Sequence, residues 1–393
     1  MTSTRFSTVH FQLSEAWSSP FSRWHRSLQD INSIDLAARV TARALTDRGV
    51  DPKGIGELVL GITVPQQSGF YGAPTLAARI GAGHMTGAMV AQACATSVAG
   101  LAAAARTLEL GASDPILVVM TDRTSLGPVI TYPVPDSSAL PHAIQENWVL
   151  HNFERDPWGG VSMAMTAEVV AQEAGISRQE ADEVAILRHE QYNRALLNGF
   201  GFHRRFMIPV VADEGTTILD ADEGVYPLDA DATRSLVAGI PDGVVTRDTQ
   251  THPADGTAGL ILRSANAGAG PRVRIHSVGF ARTDRGRMPK AVVPAAREAL
   301  AAAQFSIDDV HLVNTHNPFV ISDIVFSRAF NFPVERMSTF GSSLVYGHPQ
   351  APTGMRSIIE LAHALVLRGG GVGLFTGCAA GDTAGAVVIE VND

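Results

Sequence analysis

Short apolar segments rich in branched side chains alternate with alanine-rich segments along most of this chain. The apolar segments have the length and composition of buried strands, whereas apolar positions in the alanine-rich segments recur at the spacing of one helix face. This alternation predicts an α/β protein. The predicted strands cover residues 58–64, 116–120, 310–314, 372–375 and 386–391, and the predicted helices cover residues 98–108 and 355–367.

The order strand, helix, strand occurs once near each end of the chain. Residues 58–120 contain the first copy, and residues 310–375 contain the second. We therefore expect two halves of related topology, each with one of the two cysteines of the chain. The repeat is one of topology, since the two halves share no clear sequence repeat.

Residues 121–254 differ from both ends, being richer in proline, aspartate, arginine and aromatic residues. Ser177 and Glu180 are spaced as a capping box, which predicts a helix that runs towards Leu197. Segments inserted on a rigid scaffold often carry binding residues. We interpret this segment either as an insertion that grips substrate or as a lid that stabilises the fold or a dimer.

The composition excludes several classes of protein. The chain has 393 residues, enough for two domains or one large layered domain. Its formal net charge is −9 and no basic run stands out, which argues against nucleic-acid binding. Lysine occurs only at Lys53 and Lys290, so an anionic ligand must be met mainly by arginines, backbone N–H groups or helix N-termini.

The sequence also predicts a location. No apolar stretch approaches the roughly 20 residues that span a bilayer, and the first residues lack the apolar core of a secretory signal. Two distant cysteines in an acidic chain suit a reducing compartment better than a disulfide framework. We therefore expect a soluble cytoplasmic protein that does not associate with membranes.

Cys94 comes just before one of the predicted helices. The N-terminus of a helix carries unpaired N–H groups and partial positive charge, which favour a thiolate. Cys94 is therefore a candidate nucleophile. The alternative is a small buried apolar residue, the usual role of a free cysteine.

Three further residues are candidates because of their neighbours. His348 lies between a glycine and a proline, in a run from 341 to 354 that is hard to explain as packing. Cys378 lies among small residues, whose backbone amides can approach a ligand and hold an oxyanion. His316 follows a predicted strand, at the sheet edge where ligands of α/β proteins tend to bind. The alternatives are a turn histidine with a satisfied hydrogen bond and tight strand packing around Cys378.

A zinc site is another alternative for these two cysteines and two histidines. Neither CxxC nor HxxxH spacing is present to support it. The sequence therefore predicts no metal.

Four segments together resemble the thiolase superfamily, and the likeness covers nearly the whole chain. The segment around Cys94 resembles the nucleophile motif of the family, and residues 341–349 resemble its Gly-His-Pro motif. Residues 378–381 resemble its second cysteine motif. Residues 248–258, which contain an Asp-Gly pair, resemble the stretch where the chain returns from an inserted loop domain. The order and spacing of the four segments make the resemblance specific.

The resemblance implies a five-layer αβαβα fold made of two duplicated halves with an inserted loop domain. Residues 1–120 would form the first part of the N-terminal half and residues 121–254 the inserted domain. Residues 255–270 would return to the N-terminal half, and residues 271–393 would form the C-terminal half. Members of the family usually assemble, so the resemblance implies a homodimer or homotetramer.

The resemblance also implies catalytic roles. His348 would take the proton from Cys94, whose thiolate attacks the keto carbon of a 3-ketoacyl-CoA. Cleavage leaves an acyl-enzyme, which the thiol of a second CoA resolves. Cys378 would protonate the departing enolate, or remove the α-proton in the synthetic direction. The enolate oxygen would be stabilised by His316 and His348, and the N–H groups of Cys94 and Ala380 would form a second oxyanion hole.

The implied substrate-binding residues are Met163, Thr251 and Phe319, with coenzyme A as a substrate and no permanently bound cofactor. The chain departs from the family pattern at His316, where the common thiolase motif has asparagine. Histidine at this position is seen in sterol-carrier-type thiolases.

Further departures lie in the loop that would grip CoA. Ser162 stands where many thiolases have a histidine, and Val237 stands in place of an arginine that contacts CoA. Residues 137–160 do not match the usual loop. Candidates either for phosphate contacts or for solvated surface charges are Arg188, Arg204 and Arg205.

The predicted function is that of an acyl-CoA C-acyltransferase, which cleaves a 3-ketoacyl-CoA or condenses two acyl-CoAs. One alternative is a carbon–carbon lyase that forms no acyl-enzyme, which the presence of Cys94 opposes. Another is a non-catalytic subunit that needs an OB-fold partner, which the atypical loop favours and the two cysteines oppose. Condensing enzymes that make fatty acids or polyketides do not need a cysteine at the position of Cys378.

Overall fold

The computed structural model describes residues 2–112, 114–133, 144–264 and 271–392. Parts of two predicted segments, residues 137–143 and 265–270, lie outside the described residues. The strands are β1 (Thr2–Arg5), β2 (His10–Gln12), β3 (Trp17–Ser18), β4 (Ser22–Arg23), β5 (Glu57–Gly61), β6 (Met89–Val90), β7 (Ile116–Arg123), β8 (Val129–Tyr132), β9 (Ile144–Asn147), β10 (Val210–Val211), β11 (Thr217–Leu219), β12 (Ala254–Arg263), β13 (Arg272–Arg282), β14 (Val310–His316), β15 (Gly371–Ala379) and β16 (Thr383–Val391).

The helices include the two predicted over residues 98–108 and 355–367. They are α1 (Ser33–Asp47), α2 (Gly72–Arg79), α3 (Thr96–Glu109), α4 (Leu150–Glu154), α5 (Met163–Ala174), α6 (Arg178–Ala195), α7 (Leu197–Phe200), α8 (Ala230–Arg234), α9 (Val292–Ala303), α10 (Val320–Phe330), α11 (Ser343–Tyr346) and α12 (Ala351–Leu367). None of them, in the part of the chain that the structure describes, is long and apolar enough to cross a membrane.

The predicted repeat of topology is present in the sheet. In the N-terminal part β5 pairs parallel with β7, and β7 pairs antiparallel with β12. In the C-terminal part β14 pairs parallel with β15, and β15 pairs antiparallel with β16. The short strand β2 pairs with both β12 and β13 and so joins the two parts into one sheet.

Three hydrophobic cores separate the layers of the molecule. One core packs α1 and α2 against β5 and β7. A second lies around α3 and α12 and contacts strands of both parts. The third packs α9 and α10 against β14, β15 and β16. The layers therefore follow the order helix, strand, helix, strand, helix, and the predicted αβαβα fold is confirmed.

The two central helices begin side by side. The hydroxyl of Ser97 in α3 donates to the carbonyl of Ala351 and accepts the N–H of Met355, 2.7 Å away, both in the first turns of α12. At Gly354 a Cβ atom would lie 2.9 Å from Cβ of Ser97, so only glycine allows this approach. Because Cys94 precedes α3 and His348 precedes α12, the contact also brings these two residues together.

One predicted strand ends earlier than expected. Strand β5 stops at Gly61, whereas the apolar pattern predicts a strand to residue 64. The N–H groups of Thr63 and Val64 donate to the carboxylate of Asp122, at 2.8 and 2.9 Å, instead of to a neighbouring strand. A buried carboxylate has therefore replaced the last hydrogen bonds of the strand.

Residues 124–253 lie between the antiparallel neighbours β7 and β12. The predicted cap of α6 is present, because the hydroxyl of Ser177 accepts the N–H of Glu180 at 3.1 Å. The division of the chain into domains at residues 120, 254 and 270 stays a prediction.

Candidate active site

Cys94 lies in a tight turn that leads into α3. The residue before it, Ala93, has a φ of +43°, which is uncommon for a residue other than glycine. The turn is closed by the N–H of Ala95, which donates to the carbonyl of Gln92 at 3.0 Å, and by the hydroxyl of Thr96, which donates to the carbonyl of Ala93 at 2.6 Å. Unfavourable backbone conformations of this kind cluster at functional sites. Here the turn leaves Cys94 half-buried, lining a pocket.

His348 lies opposite Cys94 in the turn that precedes α12. Its Nε2 is 3.1 Å from the sulfur of Cys94, and its Nδ1 is 2.7 Å from the hydroxyl of Thr353. Gly347 has a φ of +95°, and a Cβ atom there would lie 2.6 Å from a ring carbon of His252. Glycine at 347 is therefore needed for the backbone path that presents the imidazole.

The thiol and the imidazole form a neutral pair. Burial raises the pKa of Cys94 to about 12, and the nearby charge of Asp122 adds to this, although the N–H of Ala380 acts in the opposite direction. Burial, together with the neighbouring His316, holds the pKa of His348 well below its usual value. Desolvation of the sulfur therefore favours the protonated thiol in the absence of a ligand, and the effect of the helix N-terminus on Cys94 stays a prediction.

His316 lies at the end of β14, stacked beside His348. The ring centroids are 4.0 Å apart with an angle of 30° between the planes. Its Nδ1 is 3.0 Å from the hydroxyl of Ser343, and burial lowers the pKa of His316 to about 3. Its Nε2 is buried and has no hydrogen-bond partner among the described residues. A neutral imidazole with one unused nitrogen therefore faces the thiol–imidazole pair.

A buried carboxylate accepts hydrogen bonds from the side chains on both sides of His316. Asp323 accepts the hydroxyl of Thr315 at 2.6 Å and the side-chain amide of Asn317 at 2.7 Å. Arg188 pairs with the same carboxylate at 2.9 Å, and both side chains are fully buried. The interpretation of Arg188 as a phosphate contact or a solvated surface charge is therefore wrong.

Cys378 lies near the end of β15, and the structure buries it fully. Its sulfur is 3.7 Å from the hydroxyl of Ser322. Burial raises the pKa of Cys378, and the neighbouring Cys94 raises it further. The second thiol therefore keeps its proton at neutral pH, close to the first.

The pocket that Cys94 and His348 line has a volume of about 320 Å³. Cys94, His348 and Ala380 line it, whereas His316 and Cys378 are fully buried. The three predicted substrate-binding residues, Met163, Thr251 and Phe319, all line it as well. Most of the remaining lining is apolar, and includes Leu150, Phe153, Met288 and Pro318. The pocket is therefore suited to an apolar chain that ends at the thiol.

Asp122 is a further residue of the site, which the local motifs do not identify. Besides the two N–H groups at the end of β5, its carboxylate accepts the N–H of Ala351 at 2.9 Å, at the start of α12. Burial raises the pKa of Asp122 to about 7 although these hydrogen bonds lower it. The residue thus holds the turn that carries His348 against the N-terminal part. Its place at the end of a buried strand was the available signal.

The loop residues that depart from the family pattern have structural roles or lie on the surface. The hydroxyl of Ser162 caps α5 by accepting the N–H of Met165 at 3.2 Å. Val237 is 89% exposed, and Arg204 and Arg205 are exposed as well. Ser162 also lines the pocket, and Val237 and the two arginines do not.

One group of side chains could hold a metal ion. The ligand atoms of Cys94, His316 and His348 all lie within 4.8 Å of one another. In the described part of the chain Cys378 is not a member of this group, so only three of the four residues weighed for zinc come together.

Comparisons with known proteins cover most of the chain. The family model "Thiolase, N-terminal domain" matches residues 13–266, and the model "Thiolase, C-terminal domain" matches residues 269–391. The acetyl-CoA acetyltransferase of Escherichia coli (strain K12) is 27% identical over 381 residues, which are 93% of this chain and 94% of that protein. A 3-ketoacyl-CoA thiolase of Aliivibrio fischeri (strain MJ11) is 28% identical over 430 residues, covering 95% of this chain and 93% of that protein.

Solved structures show the same fold. The acetyl-CoA acetyltransferase of Bacillus anthracis superimposes with a TM-score of 0.89 at 24% identity, over 99% of this chain and 100% of that chain. Human mitochondrial 3-ketoacyl-CoA thiolase in complex with CoA superimposes with a TM-score of 0.89 at 22% identity, over 99% and 100%.

Proposed function

We propose that this chain, which belongs to the thiolase family and is an acyltransferase, cleaves a 3-ketoacyl-CoA with CoA, or condenses two acyl-CoAs, through a thioester on Cys94. The observation that carries the proposal is the 3.1 Å contact between the sulfur of Cys94 and Nε2 of His348 at the wall of an apolar pocket. A thiol, a base and a pocket for an acyl chain are the parts that this reaction requires.

In the first step His348 accepts the proton of Cys94 while the sulfur attacks the keto carbon. The bond between the α and β carbons then breaks, and its electron pair leaves with the α carbon as the enolate of the departing unit, which keeps the original CoA. The acyl group stays on Cys94 as a thioester, which keeps it activated for transfer to the thiol of CoA. Because the starting pair is neutral, the thiolate forms only as the proton moves to His348.

Cys378 supplies the proton that the enolate carbon needs. Burial keeps this thiol protonated at neutral pH, so it acts as a general acid in cleavage. In the synthetic direction the thiolate of Cys378 would remove the same proton from the α carbon.

Two sets of donors stabilise negative oxygen. His348, once protonated, donates through Nε2 to the enolate oxygen, and His316 donates through its own Nε2 when the hydroxyl of Ser343 donates to Nδ1. The backbone N–H groups of Cys94 and Ala380 serve the tetrahedral intermediate. The influence of both N–H groups on the pKa of the Cys94 thiol supports this assignment.

CoA acts as a substrate, with no permanently bound cofactor, and the acyl chain lies against Met163, Thr251 and Phe319. His316 in place of asparagine associates the chain with sterol-carrier-type thiolases. A homodimer or homotetramer, and an OB-fold partner, stay predictions.

A screen of 3-ketoacyl-CoAs that differ in length, branching and ring content tests the proposal. Chromatography after incubation with CoA is expected to detect an acyl-CoA shortened by the departing unit, and Cys94→Ser is expected to yield none. Cleavage that proceeds equally well without CoA would support the lyase alternative instead. Failure of every substrate in the set would contradict the proposal.

A further inference from the structure

We infer that Cys94, His316 and His348 also form a binding site for a thiophilic divalent cation such as Zn²⁺, which would occupy the place of the acyl group and block the nucleophile. The inference concerns metal binding, and it holds whether or not the proposed reaction is correct.

The distances fit a tetrahedral ion. The three ligand atoms lie within 4.8 Å of one another, and the sulfur of Cys94 is 3.1 Å from Nε2 of His348. Zinc bonds of about 2.3 Å to sulfur and about 2.0–2.1 Å to nitrogen place tetrahedral ligand atoms about 3.3–3.6 Å apart. The pair at 3.1 Å is already close to this spacing, and ligation by all three atoms requires side-chain movements that close a separation of up to 4.8 Å by about 1 Å.

The second nitrogen of each imidazole is held by a hydroxyl. Nδ1 of His348 lies 2.7 Å from the hydroxyl of Thr353, and Nδ1 of His316 lies 3.0 Å from that of Ser343. The hydroxyl of Ser343 also donates to the side-chain oxygen of Asn317 at 3.4 Å, which leaves it free to accept the N–H of His316. Histidines that ligate metals usually donate their other N–H in this way, which leaves the Nε2 lone pair for the ion.

The unused nitrogen of His316 also indicates that a ligand binds beside this ring. His316 is fully buried, and its Nε2 has no hydrogen-bond partner in the described part of the chain. A buried polar atom without a partner is unfavourable. A metal ion between the three residues supplies the missing partner, and so would an enolate oxygen if the hydroxyl of Ser343 turned to donate to Nδ1.

The charges balance on binding. The thiol of Cys94 releases its proton to solvent as the bond between sulfur and metal forms, and both imidazoles bind as neutral ligands. Cys94 and His348 line the pocket, so the fourth position of the ion faces the pocket and stays open for water. The ion therefore competes directly with acylation of Cys94.

Titration with Co²⁺ tests the site without any need for activity. The wild-type protein is expected to bind one Co²⁺ with a thiolate-to-cobalt absorption band in the near ultraviolet and the visible bands of a tetrahedral ion. Zn²⁺ is expected to displace it. Binding of neither ion to the wild-type protein would overturn the inference.

Variants assign the ligands. His316→Asn is expected to lose the tetrahedral complex, whereas Cys378→Ala, which removes the other thiol, is expected to keep it. Ser343→Ala is expected to weaken Co²⁺ binding by about 10–100-fold through loss of the hydroxyl that orients His316. If His316→Asn does not fold by circular dichroism, Cys94→Ala gives the equivalent test, with loss of the thiolate band expected. A tetrahedral complex that survives in His316→Asn, or is lost in Cys378→Ala, would overturn the assignment.

The experiments distinguish failure of the metal site from failure of the proposed reaction. A protein that cleaves ketoacyl-CoA but binds no Co²⁺ would contradict only the metal site. A protein that binds Co²⁺ through Cys94 and His316 but cleaves no substrate would contradict only the proposed reaction.

Discussion

Cys94 and His348 are held as a neutral pair rather than as an ion pair. Burial raises the pKa of the thiol to about 12 and lowers that of the imidazole, so both effects oppose proton transfer in the absence of a ligand. A site of this kind stays unreactive towards water and becomes nucleophilic when a substrate lets negative charge move onto a stabilised oxygen. In the proposed reaction, acylation therefore depends on the oxyanion donors as well as on the thiol.

Alkylation of Cys94 by iodoacetamide is predicted to depend steeply on pH. Below a thiol pKa of about 12 the thiolate fraction rises about tenfold per pH unit, so the rate should rise continuously between pH 7 and pH 9. Peptide mass spectrometry of the modified residue measures the rate, and Cys94→Ser reports any contribution of the buried Cys378. A plateau that begins below pH 8 would mean a stable thiolate–imidazolium pair and contradict the account.

Thr353→Val is predicted to lower kcat about tenfold with little change in KM. The substitution keeps the shape of the side chain but leaves the Nδ1 of His348 without its 2.7 Å partner, so the imidazole loses its orientation. Steady-state kinetics measure the change. Thr353→Ser, which restores the hydroxyl, is the matched control and should recover most of the rate; equal losses in both variants would exclude this role.

Among the helices and strands, each of the four proposed catalytic residues lies where one element ends or another begins. Cys94 precedes α3, His348 precedes α12, and His316 and Cys378 lie near the ends of β14 and β15. Such positions allow side chains from distant parts of the sequence to meet at one edge of the sheet. Buried polar groups, above all Asp323 and Asp122, hold these ends in place.

Asp323→Ala is predicted to lower the free energy of unfolding by about 3–5 kcal/mol, because it leaves the guanidinium of Arg188 buried without its carboxylate. Urea denaturation measures the loss. Asp213→Ala removes an exposed partner of Arg39 and should cost less than about 1 kcal/mol. Similar losses in the two variants would show that the buried pair has no special role.

The buried pair of Arg188 and Asp323 could not be predicted from the sequence, whereas the four candidate catalytic residues could. Local motifs identify Cys94, His348, His316 and Cys378. The structure places Cys94 beside His348 and His348 beside His316, with Cys378 buried near enough for Cys94 to affect its pKa. Arg188 and its partner are 135 residues apart, so no local pattern connects them. The pKa of Cys94 could not be predicted from the local motif either, because burial of the sulfur depends on packing from several distant segments.

At the scale of the whole molecule, the site exists only where the two halves meet. Cys94 comes from the N-terminal part, whereas the other three reactive residues come from the C-terminal part. The contact between the first turns of α3 and α12 sets the distance between the thiol and His348. The repeat of topology and the helix–strand alternation were visible in the sequence, but the register of the two halves was not, since it depends on single contacts such as that of Ser97 with Gly354.

Gly354→Ala is predicted to destabilise the protein by about 1–3 kcal/mol and to lower kcat, because the added Cβ would lie 2.9 Å from Ser97 and push the central helices apart. Thermal denaturation and steady-state kinetics measure the two effects. Gly83→Ala is the control, since no atom lies within 4 Å of the Cβ position there. A Gly354→Ala protein as stable and active as wild type would show that the close approach is unnecessary.

Intact-protein mass spectrometry after incubation with an acyl-CoA shows whether Cys94 carries the acyl group. A mass increase of one acyl group is expected on the wild-type protein and on Cys378→Ala, and none is expected on Cys94→Ser. In Cys378→Ala the exchange of the substrate α-proton with solvent should be lost. No adduct on the wild-type protein with any acyl-CoA, or an adduct that persists in Cys94→Ser, would contradict the account.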